Sequence, residues 1–292
     1  MRPLTLVVAL AACVDSREPA IRMSLSDPPD DTAADGDADT DSDTDTDTDT
    51  DTDTDTDTDT DTDTDTGTTS PWADDDDTIS PLLGIDISHW NGSINWPDVW
   101  NDGVTFAVAK ATESDYYTDD MFPGEYEGAF DIGMIRGAYH FAIPDDSDGA
   151  TQATFFVENG GDWTPDGQTL PGMLDIEYNP YGDTCYDMSK TEMIAWIREF
   201  DETYIALTGR APLVYSNADW WNTCVGTSDL PGINPLWVAY WGSSPPTLPT
   251  GWSEYTFWQF TSEGSVDGIS GNVDLDYFPG TMHDLRTFAL DE

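Results

Sequence analysis

The chain has 292 residues and a formal net charge of −50, set by 59 acidic against nine basic side chains. So negative a molecule argues against nucleic acid, or an anionic membrane surface, as a partner. Residues 79–292 hold 34 of the acids, six of the bases and eleven of the twelve tryptophans, ample apolar material for one globular domain.

Residues 1–13 read as an export signal: Arg2, the apolar stretch Leu4 to Ala12, then Cys13. Nine residues are too few to span a bilayer as a helix. Leu10-Ala11-Ala12-Cys13 resembles a lipoprotein box, which makes Cys13 a candidate for lipidation and a lipid anchor the sole expected link to a membrane. The other reading is an ordinary secretory peptide cut after Ala12.

Residues 14–78 carry 25 acids and two bases, including an unbroken Asp-Thr alternation from Asp43 to Thr66. With almost nothing apolar to bury, this segment is expected to be a disordered, self-repelling spacer. Weak calcium binding is an alternative use for it, although it has neither EF-hand spacing nor a turn glycine.

From Gly84 onward, apolar runs alternate with amphipathic ones. Strands are predicted at 84–88, 105–111, 134–141, 171–177, 211–216, 235–241, 255–260 and 272–277. Helices are predicted around 97–102, 122–132, 149–159 and 189–207. The last is the clearest: Ser189 and Glu192 have capping-box spacing, Met193, Trp196, Ile197, Phe200 and Tyr204 share a face, and Gly209 closes it. Eight strands, with helices thinning after Ala211, predict an α/β fold: an irregular (β/α) TIM-like barrel over 79–292.

Three apolar runs end in carboxylates: Gly84-Ile-Asp-Ile-Ser-His, Met173-Leu-Asp-Ile-Glu and Asn272-Val-Asp-Leu-Asp. Asp86, Glu177 and Asp274 are thus expected at the C-terminal ends of strands, where barrel enzymes collect functional groups. Asp175 and Glu177, two apart on one extended run, face the same way about 6.6 Å apart. Carboxyl groups that close cannot both ionise freely, and one of them becomes available as a general acid. Glycoside hydrolysis needs that division of labour. Trp90, Tyr139, Phe141, Tyr178, Tyr215, Tyr240, Trp241 and Trp258 cluster at the same ends. Flat rings with polar tips suit sugar faces, and Trp90, Tyr139, Tyr178, Tyr215 and Trp241 are the candidate substrate contacts. Lys110 and Glu113 could serve the pocket or form a surface ion pair. Cys185 and Cys224 could pair as a disulfide or stay as buried thiols.

Taken together, Gly84-Ile-Asp-Ile-Ser-His-Trp-Asn-Gly, Ile94-Asn-Trp, Lys110-Ala-Thr-Glu, Gly137-Ala-Tyr-His-Phe, Leu174-Asp-Ile-Glu, Val214-Tyr-Ser and the run from Trp258 to Asp276 resemble glycoside hydrolase family 25, the Chalaropsis-type lysozymes. The resemblance covers about residues 82–289. It implies hydrolysis of the β-1,4 bond between N-acetylmuramic acid and N-acetylglucosamine in peptidoglycan, without a metal; no cofactor and a monomeric state are separate expectations. It makes Glu177 the proton donor and Asp175 its partner acid, with Asp86 and Asp274 completing the floor and Asp276 adjoining it. Asp175 either attacks the sugar or orients the substrate's own N-acetyl group. Ser114 stands where the family commonly has glycine. The alternative from another class is a non-catalytic, lipid-anchored wall-binding protein.

Overall fold

The computed structural model describes residues 80–242 and 245–291; the signal segment, Cys13 and the acidic spacer lie outside the described residues. The strands are β1 (Leu82–Ile87), β2 (Val104–Glu113), β3 (Tyr117–Thr118), β4 (Ile135–Phe141), β5 (Met173–Asp175), β6 (Leu213–Ser216), β7 (Leu236–Ala239), β8 (Phe257–Gly264) and β9 (Val273–Phe278). The helices are α1 (Trp96–Asn101), α2 (Phe122–Asp131), α3 (Gly149–Phe156), α4 (Lys190–Thr208), α5 (Ala218–Cys224) and α6 (Met282–Leu290).

Eight strands close on themselves in the order β1-β9-β8-β7-β6-β5-β4-β2, with β2 pairing back onto β1. They correspond one to one with the eight predicted strands. The ninth, β3, only folds back on the end of β2. Neighbours run parallel except around β9, which is antiparallel to both β1 and β8. Thinning of helices also has a limit, since α5 and α6 both follow Ala211.

Helix α4 forms as its sequence dictates. The Ser189 hydroxyl accepts from the Glu192 amide, the Glu192 carboxylate accepts from the Ser189 amide, and Gly209 ends the helix at φ 83°. Its Met193, Trp196, Ile197, Phe200 and Tyr204 are all buried in the apolar layer between helices and barrel. A second apolar cluster fills the barrel interior with Phe106, Val108, Met173, Leu213, Trp237 and Phe257, joined by Leu285 and Ala289 of α6. At Gly84 an added Cβ would overlap the Phe106 ring, so the glycine at the start of the first motif is a packing requirement.

Ser114 now has a physical reading. It is buried and sits at φ 53°, in the left-handed region that glycine enters freely. Its hydroxyl donates to Asp146 at 3.0 Å, a bond that glycine could not make and that offsets the backbone strain.

Candidate active site

Barrel register brings the acids together. Asp86 on β1 lies directly opposite Asp274 on β9, and Asp175 lies in line with Phe141 and Tyr215 on the adjacent strands. Asp274 is only the second residue of β9, not at its C-terminal end as expected. Because β9 runs backwards, its start reaches the same end of the barrel as the C-terminal ends of the parallel strands. Glu177 lies two residues beyond the short β5, half-buried at the mouth. Asp276, two residues along β9 from Asp274, is fully buried and belongs to the floor.

Five carboxyl groups in one place perturb each other. Burial, then the Asp276 charge, lifts Asp86 well above the usual carboxylate range. Burial, then Glu177, lifts Asp175 in the same way, and the Lys110 charge opposes this. Glu177 is pushed up to about 7 by burial and by Asp274. Asp274 goes to about 8 by burial and by Asp86, and Asp276 to about 7 chiefly by burial. The floor therefore holds several protons near neutral pH, as crowded carboxylates must.

Few donors serve this cluster. The Trp237 indole N–H donates to Asp276 at 2.7 Å, and the Gln259 amide donates to Asp86 at 2.8 Å. The Asp175 Oδ1 is buried with no hydrogen-bond partner among the described residues. Among those residues no group of three or more His, Cys, Asp or Glu side chains is arranged to hold a metal ion.

Lys110 and Glu113 are both buried and joined at 2.6 Å, which removes the surface-pair reading. Tyr181 donates to the other Glu113 oxygen at 2.6 Å, pulling the β5–α4 loop across towards β2. That loop is held further by Tyr178, which donates to Asp219 at 2.7 Å, by the Trp220 indole on the Thr184 carbonyl, and by the Cys185–Cys224 disulfide. The cysteines are therefore bonded, with their Cα atoms 5.3 Å apart.

Of the candidate aromatics, Trp90 and Trp241 are 56% and 52% exposed, presenting ring surface to solvent. Tyr139 and Tyr178 are half-buried. Tyr215 is buried beneath the acids and donates to Gln259 at 2.9 Å, which makes it a support for the floor more than a platform. Half-buried Trp258 donates to the Tyr240 carbonyl at 2.7 Å. The sequence reading did not single out Gln259, Trp237 or Tyr181. For Gln259 the signal was present: alternation within Phe257-Trp-Gln turns Phe257 and Gln259 to the same side.

Linkage gives these shifts a consequence for stability. Every floor acid has a folded pKa raised above its unfolded value, so the native state binds more protons than the unfolded chain between about pH 4 and pH 8. Their contribution to stability is present at the acid end of that window and lost as pH rises through the folded values. Thermal unfolding is expected at a higher temperature at pH 5 than at pH 8; the reverse order would contradict the charge state assigned to the floor.

A closed barrel that gathers proton-sharing carboxyls at one mouth, beside exposed aromatic rings, defines an acid–base hydrolase of the glycosidase class. The comparisons agree. The model for glycosyl hydrolases family 25 matches residues 85–269. Lysozyme M1 from Streptomyces globisporus is 48% identical over 221 residues, 74% of this chain and 75% of that one. N,O-diacetylmuramidase from Chalaropsis sp is 41% identical over 202 residues, 66% of this chain and 96% of that one. The crystal structure of the bacterial lysozyme from Streptomyces coelicolor aligns with a TM-score of 0.71 at 48% identity, covering 74% of this chain and 99% of that one. The chain belongs to glycosyl hydrolases family 25, and it is a glycosidase.

Proposed function

We propose that this glycosidase is a muramidase, cleaving the β-1,4 bond between N-acetylmuramic acid and N-acetylglucosamine in peptidoglycan, with Glu177 as the proton donor. The observation that carries the reading is the Asp175–Glu177 pair, set in the acid floor of a family 25 barrel. Glu177 is raised to about 7, so it holds a transferable proton at mildly acidic pH. Asp175 fits the role of partner. Its unpartnered Oδ1 offers an acceptor to a substrate amide N–H, which favours orienting the substrate's acetamido group as nucleophile over direct attack. Asp86, Asp274 and Glu177 share protons across the floor, and the negative charge left on that shared set keeps the donor protonated and stabilises positive charge developing at the sugar carbon. Trp90, Trp241, Tyr139 and Tyr178 are the proposed glycan contacts, a role supported by the exposed rings of Trp90 and Trp241. Retention of every key acid leaves the non-catalytic reading without a supporting observation.

The pH dependence follows from the donor. Activity is expected to fall as pH rises through about 7, because Glu177 loses the proton it must deliver. A turnover–pH profile on soluble wall fragments checks this, and undiminished turnover at pH 9 would contradict the donor role.

Export and lipid attachment at Cys13 complete the proposal, supported by Leu10-Ala11-Ala12-Cys13. Stable anchoring takes more than one acyl chain, so mass spectrometry of the mature N-terminus should find a multiply acylated Cys13. An unmodified Cys13, or a start elsewhere, would mean plain secretion.

A further inference from the structure

We infer that Gln259 is a positioning residue for the acid floor, tying Asp86 to the rim tryptophan Trp241 and fixing how the Asp86 carboxyl is presented to substrate. As a role in turnover, the inference rests on the muramidase reading above.

Gln259 lies on β8 and is buried. Its amide makes three bonds. Nε2 donates to Asp86 Oδ2 at 2.8 Å, while Oε1 accepts from Tyr215 Oη at 2.9 Å and from Trp241 Nε1 at 3.0 Å. An indole nitrogen can only donate, so the oxygen of the amide must face Trp241 and the NH2 must face Asp86. Partner chemistry therefore allows one amide orientation, and that orientation holds a donor permanently on Asp86. Trp241 is half exposed at the mouth, yet its polar edge is anchored in the floor. One buried side chain thus connects a ring exposed at the mouth to an acid 173 residues away in sequence.

The groups facing Asp86 define what this donor does. Asp274 and Asp276 approach from β9, Asp175 and Glu177 from β5 and the residues just past it, Tyr215 from β6 and Gln259 from β8. On the remaining side β2 places Val108 at the Asp86 register. All of the titratable neighbours are acids or a phenol, and Gln259 supplies a hydrogen bond that favours the charged form of Asp86. Losing that donor must move the Asp86 titration upward.

The test combines a titration with kinetics on the full-length chain. The Asp86 carboxyl is followed by carbon NMR in the wild type and in Gln259→Leu, and kcat/KM on peptidoglycan is measured against pH. Gln259→Leu should raise the Asp86 midpoint and lower kcat/KM about tenfold at every pH. Gln259→Glu keeps the shape and, while protonated, still donates to Asp86. It should therefore approach wild-type activity at low pH and lose it at lower pH than the wild type does. Trp241→Phe keeps an aromatic ring at the rim but loses the indole N–H, and should lower kcat beyond whatever the smaller ring does to KM. An unchanged Asp86 midpoint in Gln259→Leu, or a Gln259→Glu profile parallel to that of the wild type, would overturn the inference. If Gln259→Leu does not fold, the Gln259→Glu profile decides. A wild type inactive on peptidoglycan would remove the muramidase reading, and the Asp86 titration would still decide whether Gln259 positions the floor.

Discussion

Replacing Glu177 by glutamine is expected to lower kcat/KM on peptidoglycan by at least about 10²-fold without a measurable loss of stability. Glutamine keeps the shape of the side chain and its capacity for hydrogen bonds, but it has no proton to transfer. The residue is half-buried just past β5, where its environment raises its pKa to about 7. Its charge also raises Asp86 and Asp175, so the substitution removes one like charge from a crowded floor and should leave the folded state unharmed or more stable at neutral pH. Activity and thermal unfolding of purified E177Q check both halves. Turnover near that of the wild type would remove Glu177 from the donor role, whereas a large loss of stability would mean the side chain is structural.

The second large effect concerns the loop that begins at Glu177. Cys185 and Cys224 are separated by 39 residues, and loop entropy at that length gives a disulfide about 4 kcal/mol. The double variant Cys185→Ser, Cys224→Ser should therefore unfold roughly 10 °C lower than the wild type. Catalysis should suffer as well, because the same loop carries Tyr178, held to Asp219, and Tyr181, held to Glu113. Those contacts join the segment after Glu177 to α5 and to β2. The loop also contains Tyr186 and Asp187 at φ 59° and 55°, a strained pair that persists only because its surroundings hold it. A shift below about 2 °C with unchanged activity would show that packing alone fixes the loop.

Local pattern made much of this legible in the sequence. The eight barrel strands, the capping box and the buried face of α4 depend on neighbouring residues, and each is visible without knowledge of the fold. So is the gathering of Asp86, Asp175, Glu177 and Asp274, because each acid ends an apolar run. Non-local register explains what was missed. The reversal of β9 has no local signature, yet it decides that Asp274 enters the site from the start of its strand, opposite Asp86. It also carries Asp276 beneath Asp86, where a glance at the motif leaves it peripheral. Gln259 and Trp237 reach floor acids 173 and 39 residues away. Whether Cys185 and Cys224 pair was open in the sequence because pairing is a statement about distance, and only the approach of α5 to the β5–α4 loop supplies it.

The departure at Ser114 shows how a sequence and a backbone constraint are reconciled. A position that favours glycine is filled by a residue that accepts left-handed geometry in exchange for a hydrogen bond to Asp146. None of the floor acids is touched by that exchange.

Digesting purified peptidoglycan with the protein and identifying the new reducing ends tests the central claim most directly. Reduction with labelled borohydride followed by hydrolysis should place the label on muramic acid, and the E177Q protein should release almost none. Label on glucosamine, or no new reducing ends from the wild type, would contradict the account.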